Sequence, residues 1–384
     1  MKLSSKILSM PPSGIRAMFA MAEKYSDVIS FGLGDTAFDT PKNVIESVKK
    51  AFDDGYTHYV SCQGLPVFRE AVAKKAREYN GIDCTADNVH IAFGAGAGLL
   101  LTFFTLLDPG DEVIIHSPCF PNYHQYISLT GAVPVVVDTY EKDQFRITAE
   151  ALEAAITPKT RAILINSPCN PTGAILERED LEKIAEVAKK HDIVIVSDEP
   201  YETILFDGKK HCSIASLPGM ENHAITVNSH SKTYAMTGWR VGYVIAPVKV
   251  REQMTLLQEA MGSNVTSAVQ VAAAEALNGP QDVVWEMTRA YEKRRDVLVN
   301  GLNTIKGFSC MMPGGSFYAF PNIKETGMKS EELALMLLDK VQVVTIPGTA
   351  FGTCGEGYLR MVFAQEEKTI EAGIERIRSV FGSK

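Results

Sequence analysis

Apolar positions along the chain alternate between short continuous runs and longer stretches with helical spacing. The short runs are predicted to be strands, and they cover residues 89–93, 112–116, 133–138, 162–166, 193–198, 224–228 and 241–246. Several are apolar at consecutive positions, as over residues 193–196, which is typical of strands covered on both faces. Helical spacing lies between the runs, for example over residues 177–190. This alternation predicts an α/β fold in which a mostly parallel sheet is sandwiched by helices.

The pattern changes after about residue 247. Long helices are predicted over residues 249–261, 266–278 and 281–305, with Gly279-Pro280 as a break before the last one. The final part mixes short strands (316–321, 343–347 and 358–363) with helices (330–338 and 366–380). We therefore expect a large domain over residues 42–280. A smaller α+β domain is expected to combine residues 1–41 with residues 281–384.

A helix is predicted to open at Thr40 and Pro41. A threonine hydroxyl suits the N-cap position, and proline suits the first helical position. We expect Thr40 to be the N-cap of a helix that runs to about Phe52.

Composition and charge narrow the class of protein. The 384 residues are 46% apolar and 22% charged, which is ordinary globular usage and argues against disorder. The net charge of −8 argues against a dedicated nucleic-acid binder. The longest nearly apolar stretch, residues 98–107, is far shorter than the roughly 20 residues that span a bilayer, and we expect no secretory signal. Seven cysteines without a CxxC pair, and histidines without ligand spacing, predict a reduced, cytoplasmic chain with no metal site.

Chemically useful residues follow five of the predicted strands. Ligands of open parallel sheets bind beyond the carboxyl ends of the strands. The residues at or directly after the strand ends provide a glycine loop (residues 94–98), an aromatic ring (Phe120), an amide (Asn170), a carboxylate (Asp198) and an amine (Lys232). We therefore expect one ligand site that combines them.

The glycine loop at residues 94–98 opens a predicted helix, so its backbone N–H groups can bind a phosphate. It does not have the dinucleotide-binding pattern, because Leu99 stands at the third glycine position. Residues 32–37 fit that pattern, but the helix after them opens too late to hold a pyrophosphate. The sequence also lacks GxxxxGK[ST]. Neither NAD binding nor a P-loop is therefore expected.

Asp198 and Lys232 together indicate one cofactor. Alone, the carboxylate could be a helix cap and the lysine a solvated charge. A carboxylate at the end of a buried strand needs a partner, however, and a heterocyclic nitrogen cation would suit it. Ser229 and Arg240 flank the lysine as phosphate ligands. An amine, a carboxylate, an anion site and an aromatic ring are what pyridoxal 5′-phosphate (PLP) requires.

The chain resembles the class I/II, fold-type I PLP-dependent aminotransferases and is similar to aspartate aminotransferases. The segment from Ser229 to Gly242 matches the lysine-site pattern of that family, and the resemblance runs from about Pro11 to Phe381. It implies a fold-type I architecture with a smaller α+β domain. It also implies cis peptide bonds before Pro118 and Pro171.

The resemblance implies a role for each matching residue. Lys232 would bind the cofactor covalently and move the proton from the substrate Cα, and Asp198 would keep the pyridinium nitrogen protonated. Asn170 and Tyr201 would hydrogen-bond to the phenolic oxygen of the ring, with Asn170 also facing the substrate. The phosphate would be held by Ser229, Arg240 and the backbone of Ala95 and Gly96. Phe120 would pack on the face of the ring. Arg360 and the Gly34 backbone would bind the substrate carboxylate.

Tyr59 resembles the tyrosine that reaches the phosphate site of the neighbouring subunit in this family. The resemblance therefore implies a homodimer with shared active sites. The other partners would be small: an amino acid and a 2-oxo acid, with no nucleic acid and no membrane.

Two glycine-loop positions depart from the family pattern. Many relatives carry a hydroxyl residue followed by Glu or Gln where this chain has Gly96 and Ala97. A hydroxyl ligand of the phosphate is therefore missing here. Some aspartate-specific relatives place a lysine in this turn to bind the second carboxylate of the substrate. Gly96 cannot do so, and aspartate specificity by this means is therefore not expected.

Near the N-terminus, Gly34-Asp35 replaces the usual Gly-Glu-Pro. Arg16 is a candidate for a distal carboxylate or an ordinary surface residue.

The expected function is transfer of an amino group from an L-amino acid to a 2-oxo acid, with 2-oxoglutarate as the acceptor, by a ping-pong mechanism. A carbon–sulfur β-lyase on the same scaffold is the alternative, and the run from Ala235 to Arg240 favours the aminotransferase. A non-enzymatic PLP-binding regulator would carry a DNA-binding domain before this fold, which we do not expect here. The amino donor stays open.

Overall fold

The computed structural model describes residues 1–8, 10 and 14–384, so Pro11, where the resemblance begins, lies outside the described residues. The helices are α1 (Ser5–Leu8), α2 (Gly14–Ala22), α3 (Lys42–Asp53), α4 (Pro66–Lys75), α5 (Ala95–Leu106), α6 (Asn122–Thr130), α7 (Ala149–Ala155), α8 (Arg178–His191), α9 (His230–Thr233), α10 (Val248–Gly262), α11 (Ser267–Asn278), α12 (Asp282–Asn303), α13 (Ser330–Val341) and α14 (Glu367–Phe381). The strands are β1 (Ile29–Ser30), β2 (Val89–Ala92), β3 (Glu112–Ser117), β4 (Val133–Asp138), β5 (Thr160–Asn166), β6 (Val194–Asp198), β7 (Ala224–Ser229), β8 (Gly242–Ile245), β9 (Tyr318–Ala319), β10 (Val343–Val344), β11 (Ile346–Pro347) and β12 (Leu359–Val362).

A seven-stranded sheet, in the order β2-β8-β7-β6-β5-β3-β4, forms the centre of the molecule. β3 pairs in parallel with β4 and β5, and the parallel pairing continues through β6 to β7. β8 pairs antiparallel with both β7 and β2, so it alone runs against the other strands of this sheet. The prediction of an α/β fold with a mostly parallel sheet is confirmed, and each predicted strand of the sheet matches an observed one to within two residues at either end.

Helices cover both faces of this sheet. The inner strands β5, β6 and β7 are buried at nearly every position, whereas the edge strand β4 is largely exposed or half-buried. Burial on both faces explains the apolar runs of the inner strands. The apolar run of β4 lies instead at an edge of the sheet. In α8, the buried residues Leu181, Ile184, Ala185 and Ala188 recur at helical spacing, which places one apolar face on the sheet.

A second hydrophobic core joins the N-terminal segment to the C-terminal part of the chain. β1 pairs in parallel with β10, and β11, β12 and β9 form a small antiparallel sheet. Phe31, which follows β1, is fully buried in a cluster with residues of α12, α13 and α14. The chain thus brings distant segments into one α+β unit beside the large sheet.

The predicted helix start at Thr40 is wrong. α3 begins at Lys42 with Pro41 as its N-cap residue, and the proline side chain makes no capping hydrogen bond. The Thr40 hydroxyl instead donates to the Ala235 carbonyl at 2.7 Å and accepts from the Trp239 indole at 3.0 Å. A tertiary contact with the segment after α9 therefore replaces the local cap.

The two cis peptide bonds that the resemblance implies are present in the structure. The peptide bonds before Pro118 and Pro171 are cis, as is the bond before Pro168. Among the residues that the structure describes, every helix is too short or too polar to cross a membrane.

Candidate active site

A cavity of about 390 Å³ lies at the carboxyl edge of the large sheet. Its wall contains nearly all of the site residues predicted from the sequence: Gly34, Ala95, Gly96, Phe120, Asn170, Asp198, Tyr201, Ser229, Lys232, Arg240 and Arg360. These positions span most of the chain, and the fold brings them into one space.

The direction of the strands explains this convergence. β2, β3, β5, β6 and β7 run the same way, so the loops that follow them meet at one edge. β8 runs in the opposite direction, so the residue that matters precedes it: Arg240 lies just before the strand. Gly242 of β8 is opposite both Ser229 and Ala92 in the sheet register, which places Arg240 beside the lysine segment and the glycine loop. Arg240 adopts a left-handed backbone conformation, φ 53°, which is uncommon outside glycine.

Lys232 lies on the short helix α9, directly after β7. The Ser229 hydroxyl caps this helix by accepting a hydrogen bond from the Ser231 backbone N–H at 3.4 Å. The Lys232 amine donates to the Gly34 carbonyl. Burial lowers the pKa of Lys232 to about 8, although Asp35 opposes this shift. About a tenth of the amine is therefore neutral, and nucleophilic, at pH 7.

Asp198 ends β6 and is 5% exposed. Its Oδ2 accepts a hydrogen bond from the Tyr123 hydroxyl at 2.6 Å. Its Oδ1 has no hydrogen-bond partner among the described residues. Burial raises the pKa of Asp198 to about 7, and the Tyr123 hydrogen bond acts in the opposite direction. A buried carboxylate with one free oxygen is suited to a cationic partner, such as a protonated ring nitrogen.

Arg360, on β12, is 2% exposed, and its guanidinium lies close to two aromatic rings. The rings of Tyr318 and Phe351 each have their centres 4.8 Å from it. The guanidinium donates to the Gly32 carbonyl and, at 3.3 Å, to Asn170 Oδ1. Its Nε has no partner within the described parts of the chain. A rigidly held guanidinium with an unused donor is suited to bind a carboxylate.

Tyr201 faces the cavity from the turn after β6. Its hydroxyl shares a hydrogen bond with the Tyr318 hydroxyl at 2.9 Å, and burial raises its pKa well above the usual value of 10.0. Tyr201 is therefore a neutral hydrogen-bond donor at physiological pH. The Asn170 backbone is held by the Asn166 side chain, whose Oδ1 accepts from the Asn170 N–H at 2.9 Å.

The glycine loop leads into α5, a helix of 12 residues whose N-cap is Gly94. Gly94 has φ +84°, which a side chain would strain, and a Cβ there would lie 2.7 Å from Arg240 Nη2. The free N–H groups of the first helical turn and the guanidinium therefore share one space, which is the arrangement that binds a phosphate.

The observed residues fit PLP. The orphaned Oδ1 of Asp198 would meet the ring nitrogen, and the start of α5 with Arg240 forms an anion cradle. Lys232 provides a partly neutral amine on the wall of the same cavity. Phe120, whose ring packs edge-on against Tyr123 with centres 5.6 Å apart, supplies an aromatic face on the cavity wall.

Tyr59 and Arg16 are not on the cavity wall. The Tyr59 side chain is 89% exposed, and Arg16 is also exposed, whereas its neighbour Ile15 lines the cavity.

Three tyrosines line the cavity but were not predicted from the sequence: Tyr123, Tyr126 and Tyr318. Tyr123 and Tyr126 are the second and fifth residues of α6, three positions apart, so helical spacing was an available signal for both.

Comparison with known proteins agrees with this geometry. A family model described as Aminotransferase class I and II matches residues 26–377. Aromatic-amino-acid aminotransferase 2 of Thermococcus litoralis is 42% identical over 387 residues, covering 100% of this chain and 99% of the relative. The aspartate aminotransferase of Pyrococcus abyssi is 41% identical, with the same coverage. The crystal structure of an aromatic aminotransferase from Pyrococcus horikoshii superposes with a TM-score of 0.90 at 42% identity, covering 94% of this chain and 98% of that one. The chain therefore belongs to the class I and II aminotransferases, PLP-dependent enzymes that transfer an amino group between an amino acid and a 2-oxo acid.

Proposed function

We propose that the cavity at the carboxyl edge of the sheet binds PLP and transfers the amino group of an L-amino acid to 2-oxoglutarate. The observation that carries this proposal is the convergence of Lys232, Asp198 and Arg360 on one cavity. The reaction needs a nucleophilic amine, a carboxylate for the ring nitrogen and a guanidinium for the substrate carboxylate, and these three residues would supply them.

When bound, PLP supplies an aldehyde that links to amines and a cationic ring that accepts the electron pair left on the substrate Cα. Asp198 would keep the ring nitrogen protonated, because its free oxygen offers the matching negative charge. The anion cradle of Arg240, Ser229 and the Ala95–Gly96 backbone would hold the phosphate. Phe120 would pack on the ring face, and Asn170 and Tyr201 would donate to the phenolic oxygen.

Arg360 would bind the substrate α-carboxylate, with the Gly34 backbone nearby. This contact would place the Cα–H bond within reach of the Lys232 amine. Lys232 would then take the Cα proton at Nζ and return it to the cofactor carbon, acting as base and then as acid. Its lowered pKa suits both steps, because neither protonation state is strongly favoured near pH 8.

2-Oxoglutarate is the proposed acceptor because of the likeness to aspartate-aminotransferase-type enzymes, and Arg360 would bind its 1-carboxylate. The donor is left at the level of an L-amino acid. Gly96 supplies no charge for a second carboxylate, so we do not extend the proposal to an aspartate-specific donor.

Lys232→Ala tests the proposal directly. The variant should lose at least about 10⁴-fold in turnover, because it removes both the covalent attachment and the proton transfer. Lys49→Ala, at an exposed position on α3, is the matched control and should keep wild-type turnover. Turnover by Lys232→Ala at the wild-type rate would refute the assignment.

We also propose a cytoplasmic homodimer with shared sites and with two domains, residues 42–280 and residues 1–41 plus 281–384. The strongly exposed Tyr59 ring supports the first part, since it would be covered by the second subunit. The seven free cysteines suit a reducing compartment.

Shared active sites are tested by mixing Lys232→Ala chains with Tyr59→Ala chains. Each mixed dimer should regain one intact site, and hence activity, whereas unshared sites would give no recovery.

A further inference from the structure

Gly96 is an unexpected residue for its position. It lies in the first turn of α5, and its backbone is helical rather than left-handed, so no backbone geometry requires glycine. Glycine within a helix costs roughly 0.5–1 kcal/mol relative to alanine. Many members of the family that the chain resembles carry a hydroxyl residue at this position. The absence of a side chain at Gly96 therefore calls for a reason from its surroundings.

Tyr126 supplies that reason. A Cβ on Gly96 would lie 2.7 Å from Tyr126 Oη, closer than real Cβ contacts come, but 3.5 Å from the Cζ atom of the ring, which is an ordinary contact. A side chain at residue 96 would therefore have to displace the hydroxyl end of Tyr126. Tyr126 and Gly96 both line the cavity. Tyr126 reaches it from α6, three residues after Tyr123 and on the same helical face.

The hydroxyl is also free to act as a donor. Its oxygen accepts a hydrogen bond from the Asn122 amide at 3.4 Å, which leaves its proton for another partner. Burial raises the pKa of Tyr126, so the group keeps that proton at physiological pH.

Two donors thus approach two glycines of one loop. Arg240 Nη2 occupies the space beside Gly94, and Tyr126 Oη occupies the space beside Gly96. Between them are the free N–H groups of α5. We infer that the Tyr126 hydroxyl donates a hydrogen bond to the cofactor phosphate and so replaces, from a different helix, the loop hydroxyl that is missing at Gly96. This inference rests on the proposed PLP site.

The test compares PLP with pyridoxal, which lacks the phosphate, on the full-length protein. Dissociation constants are measured by cofactor absorbance for the wild type, Tyr126→Phe, Gly96→Ser and the double variant. Tyr126→Phe should bind PLP about 10- to 100-fold more weakly, the usual range for a hydrogen bond to a charged group, and should bind pyridoxal as the wild type does. Gly96→Ser alone should also weaken PLP binding, because its Cβ meets the Tyr126 hydroxyl.

The double variant tests whether a hydroxyl in the loop can replace the Tyr126 hydroxyl. With the hydroxyl of residue 126 removed, the serine side chain introduced by Gly96→Ser has room and returns a hydroxyl to the loop, so PLP affinity should recover most of the loss. Unchanged PLP affinity in Tyr126→Phe would overturn the inference. So would an equal loss for PLP and pyridoxal, which would indicate a structural or substrate-side role. If the wild type itself bound pyridoxal as tightly as PLP, the proposed phosphate site would fail as a whole, and the inference with it.

Discussion

Replacement of Asp198 by asparagine should make the cofactor-free protein more resistant to unfolding at alkaline pH while it impairs the reaction. The Asp198 carboxylate is buried, and its Oδ1 has no hydrogen-bond partner among the described residues. Asparagine has nearly the same shape and can still accept the hydrogen bond from Tyr123 through its carbonyl oxygen. The substitution therefore removes a buried negative charge with little change in packing.

The size of the effect follows from the pKa of Asp198, which burial raises from 3.8 to about 7. The folded state holds this proton more tightly than the unfolded state, so the free energy of unfolding falls as pH rises through this window and is constant above it. Each pH unit within the window is worth roughly 1.4 kcal/mol. Between pH 5 and pH 8 the wild type should therefore lose about 3 kcal/mol relative to Asp198→Asn.

Urea unfolding of the cofactor-free proteins at pH 5 and pH 8, followed by the fluorescence of the two tryptophans, measures this difference. Titration of all other groups cancels between the two proteins. Asp53→Asn, at an exposed position at the end of α3, is the matched control. Its free energy of unfolding relative to the wild type should be the same at pH 5 and at pH 8. If the gap between wild type and Asp198→Asn were the same at both pH values, the account of a buried, unpaired carboxylate would be wrong. Amino transfer by Asp198→Asn should fall at least about 100-fold.

Three further outcomes are expected. The rate at which Lys232 reacts with pyridoxal should rise about tenfold per pH unit up to about pH 8 and then level off, since burial lowers its pKa to about 8; a stopped-flow rate still rising at pH 10 would contradict this. Arg360→Lys should lower kcat/KM for amino donors by about 100-fold, because lysine cannot form the two-point contact with a carboxylate; steady-state kinetics with unchanged kcat/KM would exclude Arg360 as the carboxylate ligand. Tyr318→Phe removes the hydrogen-bond partner of the Tyr201 hydroxyl and should lower kcat by about tenfold or less; a loss as large as that of Lys232→Ala would show a direct part in the chemistry.

Much of the fold could be predicted because its signals are local. Short apolar runs locate the strands of the large sheet, since covered strands need apolar residues on both faces. The run in β4 does not show that this strand lies at an edge of the sheet. The chemistry follows from topology: once parallel strands are recognised, Asn170, Asp198 and Lys232 must lie at one edge of the sheet. Arg240 lies at the same edge because it precedes β8, which runs antiparallel to its neighbours, so the start of β8 is at the carboxyl edge of the other strands.

The features that sequence reasoning missed depend on tertiary contacts. Thr40 has the residue type of an N-cap, but its hydroxyl is used by Ala235 and Trp239, which are distant in sequence. Tyr126 and Gly96 are 30 positions apart, and their fit is visible only when α5 and α6 are packed together. Tyr318 and Tyr201 are 117 positions apart, and they meet only when the small antiparallel sheet packs against the turn after β6. Local patterns cannot report such pairings.

Amino transfer is tested most directly by a single half-reaction. The PLP-loaded enzyme is mixed with one amino acid at a time and no acceptor, while cofactor absorbance, 2-oxo acids and ammonia are followed. The account predicts that a suitable donor changes the cofactor spectrum and releases one equivalent of its 2-oxo acid per active site without ammonia, and that 2-oxoglutarate then restores the spectrum. Continuous release of pyruvate and ammonia from cysteine-like donors, with an unchanged cofactor spectrum, would contradict it.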